Sequence, residues 1–241
     1  MIVFNNVTKS YNGKINAVDN LNLTINDGEI FGLLGHNGAG KTTTLKMLTG
    51  INDITGGSIN INGFDITQNS LEAKRCFGYV PDSPDMFLKL KGIEYLKFMA
   101  DIYKVSKKDR KERIQSMAEK FSLLDALNDP IQSYSHGMRQ KIVVMGALIY
   151  NPDVWILDEP LTGLDPKAAF ELKEMMKEHA KNGKIVLFST HVLDVAEKVC
   201  DRIAIIKKGK IISCGTMEEI RNKFGSNESL EKMFLEMTAN E

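Results

Sequence analysis

The spacing of apolar residues changes twice along the chain. In the first third they fall in short runs: IVFNNVTKSY, then LNLTI with Leu21, Leu23 and Ile25 on one side, then EIFGLLG and SININGFDI. Alternation with a period of two places one set of side chains on one face of a strand. The pairs Asn12-Gly13, Asp27-Gly28 and Gly56-Gly57 read as the turns between these strands. Only TTTLKML, stopped by Gly50, reads as a helix here. From about Asp85 to Gly146 the pattern becomes helical, with Ile93, Leu96, Met99 and Ile102 at every third position and the charged stretch KVSKKDRKER behind them.

The last third alternates strands with helices. VWILD precedes a helix around Phe170 to His179; KIVLFST precedes one around Val192 to Val199; RIAII then turns at Lys208-Gly209 into KIIS. Strands separated by helices imply a parallel sheet covered on both faces. The segment SLEKMFLEMT places Leu230, Met233, Phe234 and Met237 on one face of a short amphipathic helix. The expected architecture is an α/β core interrupted by a helical insertion.

Composition narrows the function classes. With 241 residues, 43% of them hydrophobic, the chain can bury an ordinary globular core. Lys and Arg total 31 and so do Asp and Glu, so no global field favours nucleic acid or an anionic membrane. Cys76, Cys200 and Cys214 form no C-x-x-C pair and read as core fillers in a reducing compartment. The apolar run IVVMGALIY, Ile142 to Tyr150, is far short of the roughly 20 residues that span a bilayer. The start, MIVFNNVTKSY, lacks the pattern of a signal peptide. A soluble, cytoplasmic protein is expected, reaching a membrane only through a partner.

The chemistry concentrates in a few short stretches. GHNGAGKTT, Gly35 to Thr43, fits G-x-x-x-x-G-K-[ST], and it lies between a strand and a helix as that motif's mechanics require. Such a loop curls so that its amides face the phosphates of a nucleotide, with the helix dipole behind them. Asn37, Gly38, Ala39, Gly40, Lys41, Thr42 and Thr43 are the expected binding run, Lys41 adding charge and the Thr42 hydroxyl reaching Mg²⁺. A glycine-rich turn without a ligand is the alternative, and both flanks argue against it.

At the end of VWILDE, Asp158 and Glu159 point in diverging directions, so Asp158 can hold Mg²⁺ while Glu159 polarises a water as general base. Two acids standing alone at a strand end could equally be caps. His191 follows KIVLFST at a strand's carboxyl edge, where ligands sit in open α/β sheets; by itself it reads as readily as a structural histidine. A second anion grip is SYSHGMRQK, where Ser-x-Gly opens a long apolar helix.

GHNGAGKTT, SYSHGM, ILDEP, GLDP and STH, in this order over nearly the full chain, resemble the ATP-binding subunit of an ABC transporter. The resemblance implies a P-loop NTPase fold of the ABC type: an α/β core, an antiparallel β subdomain and an inserted α-helical subdomain. It implies a single domain over 1–241, with core and β subdomain in 1–81 and 147–241 and the helical subdomain, including the signature motif, in 82–146. Tyr11 matches the aromatic residue that stacks on adenine, although a surface tyrosine at a strand end remains the alternative. His191 matches the histidine that reaches the γ-phosphate, which makes Lys41, Glu159 and His191 the implied catalytic residues. Leu164-Asp165 matches the loop that crosses the dimer seam, and Asp165 also suits a helix cap followed by Pro166.

SYSHGM falls where the family has its signature, so Ser135 and Gly137 are implied to hold the ATP of the opposite subunit in a head-to-tail dimer, whether of like or unlike chains. Three positions depart from the common motifs. Asp82 stands where the family usually has the Q-loop glutamine, which makes it a further candidate for Mg²⁺ or the attacking water. In the signature, Tyr134 replaces Leu, His136 replaces Gly and Met138 replaces Gln, whereas Ser135 and Gly137 are kept.

The implied function is the ATP-hydrolysing motor of a transporter, most like exporters of drugs, antibiotics or lipids. It would work with an integral-membrane permease subunit on the cytoplasmic face of the membrane and with a second ATP-binding subunit; no nucleic acid is expected. Met86, Phe87, Leu88, Ile93 and Tyr95 are candidate permease contacts. The competing class is a soluble ABC ATPase acting on the ribosome or DNA. Each motif occurs once, and Asp158 lies only 117 positions after Lys41, which leaves no room for a long coiled coil.

Overall fold

The computed structural model describes residues 1–224 and 229–239. In chain order the strands are β1 (Ile2–Ser10), β2 (Asn16–Ile25), β3 (Ile30–Leu34), β4 (Gly56–Ile61), β5 (Phe64–Asp65), β6 (Phe77–Val80), β7 (Val154–Asp158), β8 (Ile185–Thr190), β9 (Arg202–Lys207) and β10 (Lys210–Thr216). The helices are α1 (Lys41–Leu48), α2 (Ser70–Cys76), α3 (Gly92–Ile102), α4 (Lys107–Lys120), α5 (His136–Leu148), α6 (Pro166–Lys181), α7 (Leu193–Val199), α8 (Met217–Phe224) and α9 (Leu230–Ala239).

Two sheets organise the molecule. One has the order β2-β1-β4-β5 and is antiparallel; the other has the order β10-β9-β3-β8-β7-β6. In the second, β9, β3, β8, β7 and β6 run parallel, and β10 folds back on β9. Its inner strands β3, β7 and β8 are buried at every residue, as expected of a parallel sheet covered on both faces. Helices α3, α4 and α5 follow β6, and their apolar faces share a core with Trp155, Leu157 and Phe188 of the sheet.

This arrangement is the mixed α/β fold expected from the sequence, with four corrections. Gly56-Gly57 is not a turn: both residues belong to β4, and Gly57 takes φ 84° where a Cβ would come within 2.4 Å of the Asn6 carbonyl oxygen. The glycine thus permits a bulge against β1. The turn comes later, at Asn62-Gly63, and divides SININGFDI into β4 and β5. Helix α2 was not expected in the first third, and α8 was missed near the end; each has eight residues or fewer, too few turns for a clear period. Tyr95 is 2% exposed and lies on the buried face of α3, against Gly146 of α5, so it is a core residue and not a permease contact. The three cysteines are free and half-buried against the cores, and burial pushes the Cys200 thiol up.

His179, on α6, packs edge-on against Trp155 at 5.7 Å and is 8% exposed. Burial, assisted by the charge of Lys184, lowers its pKa from 6.5 to about 4. The unfolded chain therefore takes up a proton below pH 6.5 that the folded protein refuses until about pH 4. Stability should decrease as the pH is lowered through that window, by up to about 1.4 kcal/mol per pH unit for one proton. Chemical denaturation of His179→Gln should show a flatter dependence between pH 6.5 and 4; an unchanged slope would assign the acid sensitivity to other groups.

Candidate functional site

Strand β3 ends at Leu34, and the chain then loops from Gly35 to Gly40 before α1 begins at Lys41. Gly40 sits at φ 114°, where a Cβ would approach the Ala17 carbonyl oxygen to 2.8 Å. Only glycine satisfies both the dihedral and the close approach. The loop opens a cleft of about 370 Å³ lined by His36, Asn37, Gly38, Gly40, Lys41, Thr42, Thr43, Asp82 and Glu159, with Ala17 at its edge. Ala39 lines no part of it. Its side chain turns into the core, its N–H donates to the His36 carbonyl at 3.1 Å, and its carbonyl accepts from Gly209.

Lys41 is buried and donates to the Gly35 carbonyl at 2.7 Å. Its Nζ also lies 3.3 Å from Glu159 Oε1, an ion pair without hydrogen-bond geometry. The other oxygen, Oε2, stands 2.9 Å from His191 Nδ1. One carboxylate thus joins the loop lysine to the histidine after β8. Glu159 itself takes φ 48°, an uncommon value for a residue with a side chain, directly after β7.

Asp158 points the other way. It is fully buried, accepts a hydrogen bond from the Ser189 hydroxyl through Oδ1, and has no hydrogen-bond partner at Oδ2. Burial pushes its carboxyl above the usual range, the Ser189 and Thr42 hydroxyls oppose that, and the charges of Asp82 and Glu159 add to it. A buried carboxylate oxygen without a partner, beside a helix-opening hydroxyl, fits a hard cation that takes oxygen ligands. Asp82 is exposed on the cleft wall, its Oδ1 accepting from the Ser83 N–H.

Tyr11 stands at the outer edge of the loop. It is 64% exposed, and its hydroxyl lies 3.4 Å from Thr43 Oγ1 and accepts from Asn52 at 3.0 Å.

Ser135 and Gly137 do not join this cleft. Ser135 caps α5, its Oγ accepting from the Met138 N–H at 3.3 Å. Gly137 and the exposed His136 abut Gly163, where a Cβ would meet the His136 ring at 2.4 Å. Tyr134 is buried and its hydroxyl donates to the Ala126 carbonyl at 2.5 Å, so it anchors the segment before α5. Asp165 caps α6 through the Ala168 N–H, and its second oxygen pairs with Lys141 of α5 at 2.8 Å. Those hydrogen bonds, Lys141's first, hold its carboxyl below the usual range. Buried Gln140 adds a bond from α5 to the Pro160 carbonyl at 3.4 Å. These ties make the start of α5 and the loop after Glu159 one packed unit. Sequence reading missed Ser189, Gln140 and Lys141; only Ser189, next to a strand end facing Asp158, carried a usable signal.

Comparison with known proteins bears on the family and the fold. A family model described as "ABC transporter" matches residues 18–162. The linearmycin resistance ATP-binding protein LnrL of Bacillus subtilis (strain 168) is 33% identical over 94% of this chain and 73% of that protein. A solved "ATP binding subunit of ABC transporter" superposes with a TM-score of 0.94 at 32% identity, covering 98% of this chain and 99% of its own. A dimeric post-hydrolysis ATP-binding cassette, MJ0796, bound to ADP and Pi, gives a TM-score of 0.81 at 26% identity, covering 90% of this chain and 99% of that one.

Proposed function

Because the chain belongs to the ABC transporter ATP-binding family, we propose that it is the ATP-hydrolysing motor of an exporter whose permease is a separate membrane chain. The observation that carries this reading is the meeting of Lys41, Glu159 and His191 on one carboxylate beside the phosphate-loop cleft. Glu159 would take a proton from the attacking water, His191 would orient the carboxylate and reach the γ-phosphate, and Lys41 would exchange Glu159 for phosphate oxygens. Backbone amides of Asn37 and Gly38 and from Gly40 to Thr43 would cradle the phosphates, Ala39 supporting them from behind. Thr42 and Asp158 would hold Mg²⁺, with Asp82 within reach from the cleft wall. A bound Mg²⁺ supplies neutralisation of the phosphate charge. Tyr11, exposed beside Thr43, would stack on the adenine.

Ser135 and Gly137 lie outside the cleft of their own chain, which supports a site completed by a second subunit. There the hydroxyl, the amide and the start of α5 would stabilise charge on the partner's γ-phosphate. The dimeric relative supports this arrangement. Export is supported by the resistance role printed for LnrL. A separate permease is supported by the solved ATP-binding subunit, which this chain covers to 99%. Phe87 and Phe98, each 44% exposed with rings 5.8 Å apart, give the docking surface an aromatic centre, with Met86, Leu88 and Ile93 half-buried around it. The motor would then sit on the cytoplasmic face of the membrane.

The test is purification of the tagged chain from detergent-solubilised membranes of its own cell. An integral-membrane protein should copurify in stoichiometric amount and be lost with Phe87→Asp and Phe98→Asp. Recovery of ribosomes or DNA instead would support the soluble class of ABC ATPase.

A further inference from the structure

We propose that Ser189 is a positioning residue for ATP hydrolysis, fixing the Asp158 carboxylate and the Glu159 main chain together for the cation and the water; the inference rests on the roles proposed above for those two acids. Ser189 lies opposite Asp158 in the register of β7 and β8 and is fully buried. The Glu159 N–H donates to its hydroxyl oxygen at 3.1 Å and to its carbonyl at 3.2 Å. Since the hydroxyl oxygen is already an acceptor from Glu159, its single hydrogen is directed to Asp158 Oδ1.

That direction has a consequence for the metal. With Oδ1 engaged, Oδ2 is the carboxylate oxygen left unpaired, and it is buried. Ser189 therefore selects which oxygen is offered, as hydrogen-bonded supports of ligating carboxylates do. It also holds the main chain of Glu159 at the point where that residue takes its φ of 48°. A serine kept only for its small volume would do neither, and alanine would replace it without loss.

The experiment measures binding of a fluorescent ATP analogue to the full chain during titration with Mg²⁺, alongside turnover. Ser189→Ala should raise the Mg²⁺ concentration for half-maximal effect about 10-fold and lower kcat by a similar factor. Its affinity for the analogue in EDTA should be unchanged, and Ser189→Thr should recover the Mg²⁺ response. A parallel Asp158→Asn titration separates the two claims. If Asp158→Asn shifts the Mg²⁺ dependence and Ser189→Ala, folded by its melting profile, does not, the positioning role is wrong. If Asp158→Asn itself causes no shift, the metal role of Asp158 fails and this inference falls with it.

Discussion

Glu159→Gln is expected to bind ATP normally and to lose turnover by about 10²–10⁴-fold, the range for removal of a general base. The amide nearly matches the carboxylate in size, so the packing between Lys41 and His191 can persist while the proton acceptor is lost. Binding should survive because the glycine loop, Lys41 and Thr42 would hold the nucleotide independently of Glu159. The substitution also removes the ion pair that occupies Lys41, which frees the lysine for phosphate. Single-turnover phosphate release and filter binding of ATP measure the two effects separately. Hydrolysis at the parent rate would remove Glu159 from the mechanism; loss of ATP binding would make it a structural support of the loop.

The second large effect concerns shared sites. Ser135→Arg places a bulky cation where the α5 cap would meet the other subunit, and Lys41→Ala removes the loop cation. Each alone should cost about 10²–10³-fold in turnover, as expected for loss of a charge-stabilising group. Mixed together, the two variants form some heterodimers in which one site carries both lesions and the other carries neither. That intact site should trap ATP that neither parent variant traps, whether or not it turns over alone. Trapped nucleotide in the mixture equal to the mean of the separate variants would contradict a composite site.

Much of this fold is visible in the periods of the sequence, because the inner strands of a covered sheet are continuous apolar runs. VWILD and KIVLFST end at the expected residues, and α3, α4 and α5 occupy the helical stretch expected from about Asp85 to Gly146, although Ile102, the last position of its apolar period, is 54% exposed. Short elements fared worse. Helix α2 spans seven residues with only Ala73 buried, so no repeating stripe marks it. Tyr95 shows a different difficulty: an aromatic at helical spacing looks the same on an exposed face as in the core, and only the packing of α5 above it decides.

The site divides in the same way. The phosphate loop declares itself because its glycines are demanded by local geometry, as at Gly40. Ala39 shows the limit of carrying a whole motif over, since its amide is spent inside the loop. The bonds from Gln140 to Pro160 and from Lys141 to Asp165 join residues about twenty positions apart, and no local pattern announces them. They nevertheless tie α5, which would grip the partner's ATP, to the segment that leaves Glu159.

A shared site requires that this chain hold one half of each of two ATP sites. Its most direct test is the mass in solution of Glu159→Gln, by light scattering, with and without ATP. Shared sites predict a monomer without nucleotide, a doubled mass with ATP, and no doubling once Ser135→Arg is added. A monomeric mass at full ATP occupancy, or an ATP-dependent dimer indifferent to Ser135→Arg, would contradict them.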